Sequence, residues 1–158
     1  MNSDDPAVLD ILQRCMVARI ATLSRSGRPS INPLYFVCVP GRIWLGGTSD
    51  WTLAVRNVKA DPRVSVLFEV EQDPRARRVL RISGRASVRT DPKVLHALIL
   101  RVVRKYYLTP GGIRNTLAHF RQLPSMRKYY AQSAQKGQPC VIEVTPEQAE
   151  FLNDEKLS

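Results

Sequence analysis

Side chains that bind metals or form disulfides are scarce in this chain of 158 residues, which has three cysteines and two histidines. Cys15, Cys38 and Cys140 are too few and too scattered for a disulfide framework or a zinc site. Because each lies in an apolar segment, we expect inert, buried thiols in a reducing cytoplasm. His96 and His119 stand singly on helical segments, so we expect structural or surface roles for them, without catalysis or haem ligation.

Catalytic constellations and long apolar runs are also missing. We find no Ser/His/Asp triad, no carboxylate pair at an evident site and no metal-ligand cluster. No apolar run approaches the roughly 20 residues that a membrane-spanning helix needs, and the acidic start MNSDDPAVLD is unlike a secretory signal. We therefore expect one cytoplasmic domain over residues 1–158, with no membrane partner.

Acidic residues are absent from one long segment, between Pro92 and Ile142. Nine basic residues lie there, and 15 basic against 14 acidic residues remain elsewhere, so the net charge of +10 is almost entirely local. Such a segment attracts anions, although no recognised nucleic-acid motif accompanies it. The nine residues are Lys93, Arg101, Arg104, Lys105, Arg114, Arg121, Arg127, Lys128 and Lys136.

Apolar segments with strand-like alternation dominate the rest of the chain. VARIATLS, PSINPLYFVCV and RIWLGG follow one another, joined by residues 25–28 and by Pro40-Gly41, and they predict an antiparallel meander of three strands. RVSVLFEV, VLRISGRASV and CVIEV predict three more strands. Gly84 indicates a bulge or a close approach, and Pro146 is expected to begin a polar tail.

Two Asp-Pro pairs predict helix starts, because Asp is a favoured N-cap and proline suits the first helical position. Asp5-Pro6 opens a short helix, and Asp91-Pro92 opens a longer one that Thr109-Pro110-Gly111-Gly112 ends. A further helical stretch carries Ile113, Leu117, Phe120, Met126, Tyr129 and Tyr130. Six or more antiparallel strands with few helices predict a mainly β fold, a closed barrel with helices over its ends.

A small polar loop follows the third strand and precedes a short helix, WTLAVRNVKA, which Pro62 ends. The loop residues 46–50 read Gly-Gly-Thr-Ser-Asp. Hydroxyl groups and the N–H groups of a helix start can hold a phosphorylated ligand. Thr48, Ser49 and Thr52 would equally serve as helix caps, and the pattern alone does not separate the two roles.

Aromatic residues lie close to these elements. We expect Trp44, on an apolar strand, in the core. Trp51 is expected in the core or at a dimer interface, with stacking on a ligand ring as the alternative. In each of the pairs Tyr106-Tyr107 and Tyr129-Tyr130 one ring is expected in the core.

In this order the segments resemble the flavin-binding split-barrel superfamily related to pyridoxamine 5'-phosphate oxidase. The matching strings are ARIATLSRSGRPSINPLYFV, IWLGGTSDWTLAVRNVKADPRVSVLFE and VLRISGRASV, and VIEVTPEQAEFLN resembles the last strand and tail. Arg56 to Val64 is the most specific part. The match is good over roughly residues 7–90 and holds over 92–136 only as a basic helical insertion.

The resemblance implies a homodimeric split barrel of six to eight antiparallel strands, with FMN in a groove between the subunits. It implies that Asn32, Pro33 and Leu34 line the isoalloxazine ring. It further implies an FMN-dependent oxidoreductase, and the basic segment favours an anionic or electron-poor small molecule as the unidentified substrate. The alternatives are a deazaflavin-dependent reductase of the same fold and a non-catalytic barrel that binds nucleic acid or another polyanion.

The resemblance also assigns the polar loop. Thr48 and Ser49 would contact the ring edge or the ribityl chain, and Thr52 would bind the phosphate. The family has a lysine or arginine two residues later, where this chain has Ala54, and that loss removes a contact of about 1.5–3 kcal/mol. Arg56, or a cation of residues 92–136, would substitute for it. The alternatives are that Arg56 is a solvated surface residue and that the chain binds FMN weakly, binds a different cofactor or has lost the cofactor. The chain lacks the C-terminal Trp and Arg-x-His of a true pyridoxamine phosphate oxidase, so the vitamin B6 reaction is not expected.

Overall fold

The computed structural model describes residues 5–70, 79–118, 121, 124, 128, 131–132 and 135–152. Its strands form one seven-stranded antiparallel sheet, curled into a half-barrel, which confirms the predicted mainly β fold and its strand number. The elements in chain order are α1 (Pro6–Arg14), β1 (Ala18–Leu23), β2 (Pro29–Leu34), β3 (Phe36–Val39), β4 (Arg42–Thr48), α2 (Leu53–Ala60), β5 (Arg63–Phe68), β6 (Val79–Arg89), α3 (Pro92–Tyr107), α4 (Pro110–Ala118) and β7 (Pro139–Leu152).

The sheet has the strand order β2-β1-β5-β6-β7-β4-β3, so the predicted second strand is in fact two strands at opposite edges. β2 pairs with β1, β3 pairs with β4, and Tyr35 lies between them. The Gly46 N–H donates to the Tyr35 carbonyl at 3.1 Å. The prediction of one continuous strand was wrong because the chain crosses at Tyr35 from one edge of the curled sheet to the other.

The last strand is longer than the sequence predicted. β7 runs to Leu152 and pairs with β6 along its length, so the expected polar tail after Pro146 is wrong. Pro146 is accommodated because the ladder shifts register between Ser83 and Gly84, opposite it. A Cβ atom at Gly84 would clash with the Thr145 carbonyl oxygen, which confirms the predicted close approach.

The two predicted Asp-Pro helix starts are confirmed. The Asp5 carboxylate accepts the Ala7 N–H at 2.9 Å, and the Asp91 carboxylate accepts the Lys93 N–H at 2.9 Å. α1 buries Val8, Ile11 and Leu12 in the main core, which fills the inside of the curled sheet. Among the described residues, no helix combines the length and the apolar character needed to cross a membrane.

α3 covers the outer side of β3 and β7 through a second, smaller core of Val37, Leu98 and Val141. Tyr106 is buried and Tyr107 is exposed, as predicted for that pair. Trp44 is only half-buried beside this second core, and its Nε1 donates to Glu143 at 2.8 Å. The predictions for His119, Phe120, Met126, Arg127, Tyr129 and Tyr130 lie outside the described residues.

Two expectations about single side chains were wrong. Cys15 and Cys140 are buried, but Cys38 is exposed, near the end of the edge strand β3. Lys105 does not contribute to an exposed basic surface, because its Nζ donates to the Leu12 carbonyl at 3.1 Å and lies 3.3 Å from the centre of the Phe36 ring. Burial lowers the pKa of Lys105 to about 8.

Candidate functional site

A cavity of about 540 Å³ lies where the break between β2 and β3 meets the end of β4. The β2 end contributes Pro33, Leu34 and Tyr35 to its wall, and the β4 end with the following loop contributes Gly46, Gly47, Thr48, Trp51 and Thr52. α3 closes one side, and the chain entering β7 closes another. The volume is that of a pocket for a cofactor-sized molecule. The remaining wall residues are Val17, Leu95, Leu98, Ile99, Gly137, Pro139 and Cys140.

The structure brings four of the seven predicted site residues to this wall: Pro33, Leu34, Thr48 and Thr52. The other three do not line the cavity. Ser49 lies in the loop behind the wall, and Arg56 is exposed on α2, one turn after Thr52. Asn32 lies two residues before Leu34, on the same face of β2.

Thr52 holds the polar loop in place and keeps a donor for a ligand. It stands at the N-cap position of α2, yet its side chain makes no capping hydrogen bond, so the capping interpretation is wrong for this residue. Its Oγ1 instead accepts the Thr48 N–H at 2.9 Å. Because the hydroxyl oxygen is the acceptor there, its proton can still be donated to an oxygen in the cavity.

Ser49 ties the loop to the chain that enters β7. Its N–H donates to the Gln138 carbonyl at 2.9 Å, and its Oγ accepts the Gln138 N–H at 3.1 Å. The same hydroxyl donates to the Asp50 carboxylate at 3.1 Å. Ser49 therefore holds the polar loop against the chain that enters β7 and does not itself line the cavity.

The glycines expected in the loop belong to β4 itself. A Cβ atom at Gly47 would lie 2.8 Å from Val55 Cγ2, so a side chain there would push α2 away from the strand. A Cβ atom at Gly46 would meet only Leu98 Cδ2, at the ordinary distance of 3.7 Å. Gly47 thus allows the close packing of α2, whereas Gly46 leaves cavity space unfilled.

Ala54 does not line the cavity. It is fully buried in the main core, next to Val55, which is also fully buried. A lysine at this position would have to enter the core. The apolar spacing of Ala54, Val55 and Val58 was the signal for this orientation.

Asn57 is a functional residue for positioning that the sequence reasoning missed. It is 5% exposed, and its Nδ2 donates to Thr22 Oγ1 at 3.0 Å and to Ser30 Oγ at 2.9 Å. These two hydroxyls lie 3.1 Å apart, on β1 and β2. The triad fastens α2, and with it the Thr52 end of the cavity, to the sheet.

Asn32 carries a buried acceptor, Oδ1, with no hydrogen-bond partner among the described residues. Leaving such a group unpaired costs about 1–3 kcal/mol. A ligand with an N–H donor at its edge would satisfy this oxygen. A flavin ring has such a donor, so the unpaired acceptor fits the cofactor that the resemblance implies.

The chemistry of the wall is limited. The lining side chains are mostly apolar, and none of those described is a carboxylate, an imidazole or an amine. No three His, Cys, Asp or Glu side chains within the described ranges are grouped to hold a metal ion. The arrangement can enclose and orient a flat apolar molecule through a few polar contacts.

Comparison with known proteins gives a family and a fold. The family model described as pyridoxamine 5'-phosphate oxidase matches residues 4–153. No curated protein matches the chain significantly. Protein Rv2991 of Mycobacterium tuberculosis is 18% identical with a TM-score of 0.69, and the match covers 98% of this chain and 87% of that one.

Two further solved structures have the same fold. An F420 reductase is 21% identical, with a TM-score of 0.61 and coverage of 89% of this chain and 94% of that one. The haem storage protein HutZ from Vibrio cholerae is 18% identical, with a TM-score of 0.65 and coverage of 94% and 92%. At these identities the likeness concerns the fold.

Proposed function

The chain belongs to the pyridoxamine 5'-phosphate oxidase family, and we propose that it is an oxidoreductase that binds FMN in the cavity described above. The observation that carries the proposal is a cofactor-sized cavity of about 540 Å³ with mostly apolar walls and with Thr48 and Thr52 among its wall residues. The substrate is a small anionic or electron-poor molecule, which the exposed cations of residues 92–136 would attract.

The residues of the candidate site would contact different parts of FMN. FMN supplies the hydride and electron chemistry when bound. Pro33 and Leu34 flank the ring and exclude water, while Asn32 accepts a hydrogen bond from the ring edge. Thr48 orients the ring edge or the ribityl chain, and the Thr52 hydroxyl donates to the phosphate.

The absence of a carboxylate, an imidazole or an amine from the described wall agrees with a reaction in which the cofactor is the reactive group. The protein then contributes binding, orientation and exclusion of water. Ser49 acts behind the wall, through Gln138. Arg56 remains a predicted phosphate contact, exposed one turn after Thr52.

A deazaflavin coenzyme is the second candidate, and two observations favour it. Ala54 is buried, so position 54 cannot offer the usual phosphate cation. Among the described residues of the segment without acidic residues, seven cations are exposed and would suit an acidic tail: Lys93, Arg101, Arg104, Arg114, Arg121, Lys128 and Lys136. The solved F420 reductase has the same fold as this chain, which supports the deazaflavin alternative.

A binding titration with a variant that fills the cavity tests the proposal. Purified protein is titrated with FMN and, separately, with a deazaflavin coenzyme, and binding is followed by the absorption and fluorescence of the ring. We expect saturable binding of one of the two and a loss of at least about tenfold in affinity for Gly46→Leu, whose side chain would occupy the cavity.

The control is Gly41→Asn, at a turn glycine with φ of 66°, a conformation that Asn tolerates and that lies outside the cavity wall. The proposal is overturned if neither cofactor binds the parent, or if Gly46→Leu binds as well as the parent. A colourless protein that binds DNA with a steep dependence on salt would instead favour the polyanion-binding alternative.

A further inference from the structure

Lys136 stands at the edge of the cavity, although it lies in the segment where the family resemblance is weakest. Its Nζ is 5.2 Å from the centre of the Trp51 ring, and Trp51 forms part of the wall. The next residue, Gly137, is itself a wall residue. The ammonium group is therefore placed over the polar loop, beside the Thr52 end of the cavity.

Close backbone packing fixes this position. A Cβ atom at Gly137 would lie 3.1 Å from each of three atoms, Asp50 N, Ser49 Oγ and Thr48 Cγ2. The next residue, Gln138, makes two hydrogen bonds with Ser49, at 2.9 and 3.1 Å. The chain just before β7 thus lies directly against the polar loop, and Lys136 reaches Trp51 from the position next to Gly137.

The cavity needs a cation if its ligand carries an anionic group near Thr52. Ala54 is buried, and none of the described wall residues has a positive side chain. Among the described residues, Lys136 is a cation that contacts the wall residue Trp51, directly before Thr52 in the chain. A lysine over an aromatic ring remains charged and can bind an anion with its free N–H donors.

We infer that Lys136 and the Thr52 hydroxyl together form the subsite for the anionic tail of the cofactor, with Lys136 replacing the cation that the family places at position 54. The tail is the phosphate of FMN or the acidic tail of a deazaflavin coenzyme. Both are anionic groups that accept hydrogen bonds from an ammonium group and a hydroxyl. This inference rests on the proposed function, because it assigns a residue to the tail of that cofactor.

The test compares a ligand with its tail-free analogue. Lys136→Gln and the parent are titrated with FMN and with riboflavin, which lacks the phosphate. We expect the affinity for FMN to fall about tenfold and that for riboflavin to change less than about twofold. The affinity of the parent for FMN should also decrease more steeply with salt than that of the variant.

Two further variants serve as controls. Arg42→Gln removes one positive charge at the exposed start of β4, six residues before the wall residue Thr48 and therefore about 20 Å along the strand from it. It should bind both ligands as the parent does. Lys136→Arg keeps the charge and should restore most of the affinity for FMN, which also shows that the backbone there tolerates substitution.

The outcomes separate the inference from the proposed function. An unchanged affinity of Lys136→Gln for FMN, or an equal loss for FMN and riboflavin, overturns the inference while leaving flavin binding established. A loss in Arg56→Gln together with a silent Lys136→Gln overturns it in favour of Arg56. If the parent binds a deazaflavin coenzyme and not FMN, the same comparison is made with that coenzyme and its tail-free form. If the parent binds none of these ligands, the proposed function itself fails.

Discussion

The amine of Lys105 is surrounded by protein on the inner side of α3. It donates to the Leu12 carbonyl and lies against the Phe36 ring, so it links α3 to α1 and to the start of β3. Burial favours the neutral amine and lowers its pKa from 10.5 to about 8. The sequence did not predict that Lys105 is buried while its neighbour Arg104 is exposed, because the position of a residue in a helix does not show which face of that helix packs against the rest of the protein.

This shift in pKa predicts a pH dependence of stability. Between about pH 8 and 10.5 the unfolded chain keeps a proton that the folded protein has lost from Lys105, so the contribution of this residue to the free energy of unfolding rises with pH. Measured by urea unfolding, the difference between the parent and Lys105→Met should shift in favour of the parent by about 1–3 kcal/mol from pH 7.5 to 10.

The variant controls for Tyr106, which titrates in both proteins. Because the Lys105 charge acts to lower the pKa of the Cys15 and Cys38 thiols, both proteins are compared in a background with these two cysteines replaced by alanine. Burial raises the pKa of Tyr106, which opposes the effect of Lys105 at still higher pH in parent and variant alike. A difference that stays constant from pH 7.5 to 10 would contradict the lowered pKa of Lys105.

At the scale of elements, α2 depends on one buried polar triad. Asn57 bridges the hydroxyls of Thr22 and Ser30, and its loss leaves both without their shared donor. Asn57→Ala should lower the free energy of unfolding by about 1–3 kcal/mol in chemical denaturation. Lys59→Ala, on the exposed side of the same helix, should change it by less than about 0.5 kcal/mol. Equal effects of the two substitutions would show that the triad does not fasten α2.

The elements that the sequence predicted well are those specified by neighbouring residues. The starts of α1 and α3 follow from Asp-Pro pairs, and the turn glycines Gly27 and Gly41 both have positive φ. The breaks that the sequence did not reveal depend on distant partners. Tyr35 divides a strand because the sheet curls. Pro146 continues a strand because the ladder shifts register beside it, with Glu147 of β7 as the extra residue opposite the step from Ser83 to Gly84.

The candidate site, like the fold, was predictable from the sequence only in part. The family resemblance predicted Pro33, Leu34, Thr48 and Thr52 as site residues, and all four line the cavity. These residues could be predicted because strand ends and the polar loop are specified by neighbouring residues. Lys136 could not be assigned from the sequence, since its place beside Trp51 depends on how β7 pairs with β4 some 90 residues away along the chain.

At the scale of the whole molecule, the apolar surface predicts a second subunit. Ten large apolar side chains are exposed among the described residues, and seven of them lie on or next to α3 and α4: Ile99, Leu100, Val103, Tyr107, Leu108, Ile113 and Leu117. Ile99 is also a wall residue of the cavity, so a partner that covered α3 would close the site.

Light scattering after size exclusion tests the homodimer. We expect a mass close to twice 17.9 kDa at micromolar concentration. Ile99→Asp should shift the protein towards the monomer if α3 is the interface, since a charge there would be buried without a partner. A monodisperse parent at the mass of one chain would contradict the prediction.

The central claim is that a flavin-type cofactor occupies the cavity between the β2 end, the polar loop and the entry to β7. Amide hydrogen exchange with and without saturating cofactor tests this most directly, because it locates the ligand on the chain. We predict slower exchange in peptides covering residues 46–52 and 135–140, with β5 and the paired part of β6 unchanged. Protection confined to α4, or no change anywhere in a protein that has bound the cofactor, would contradict the account.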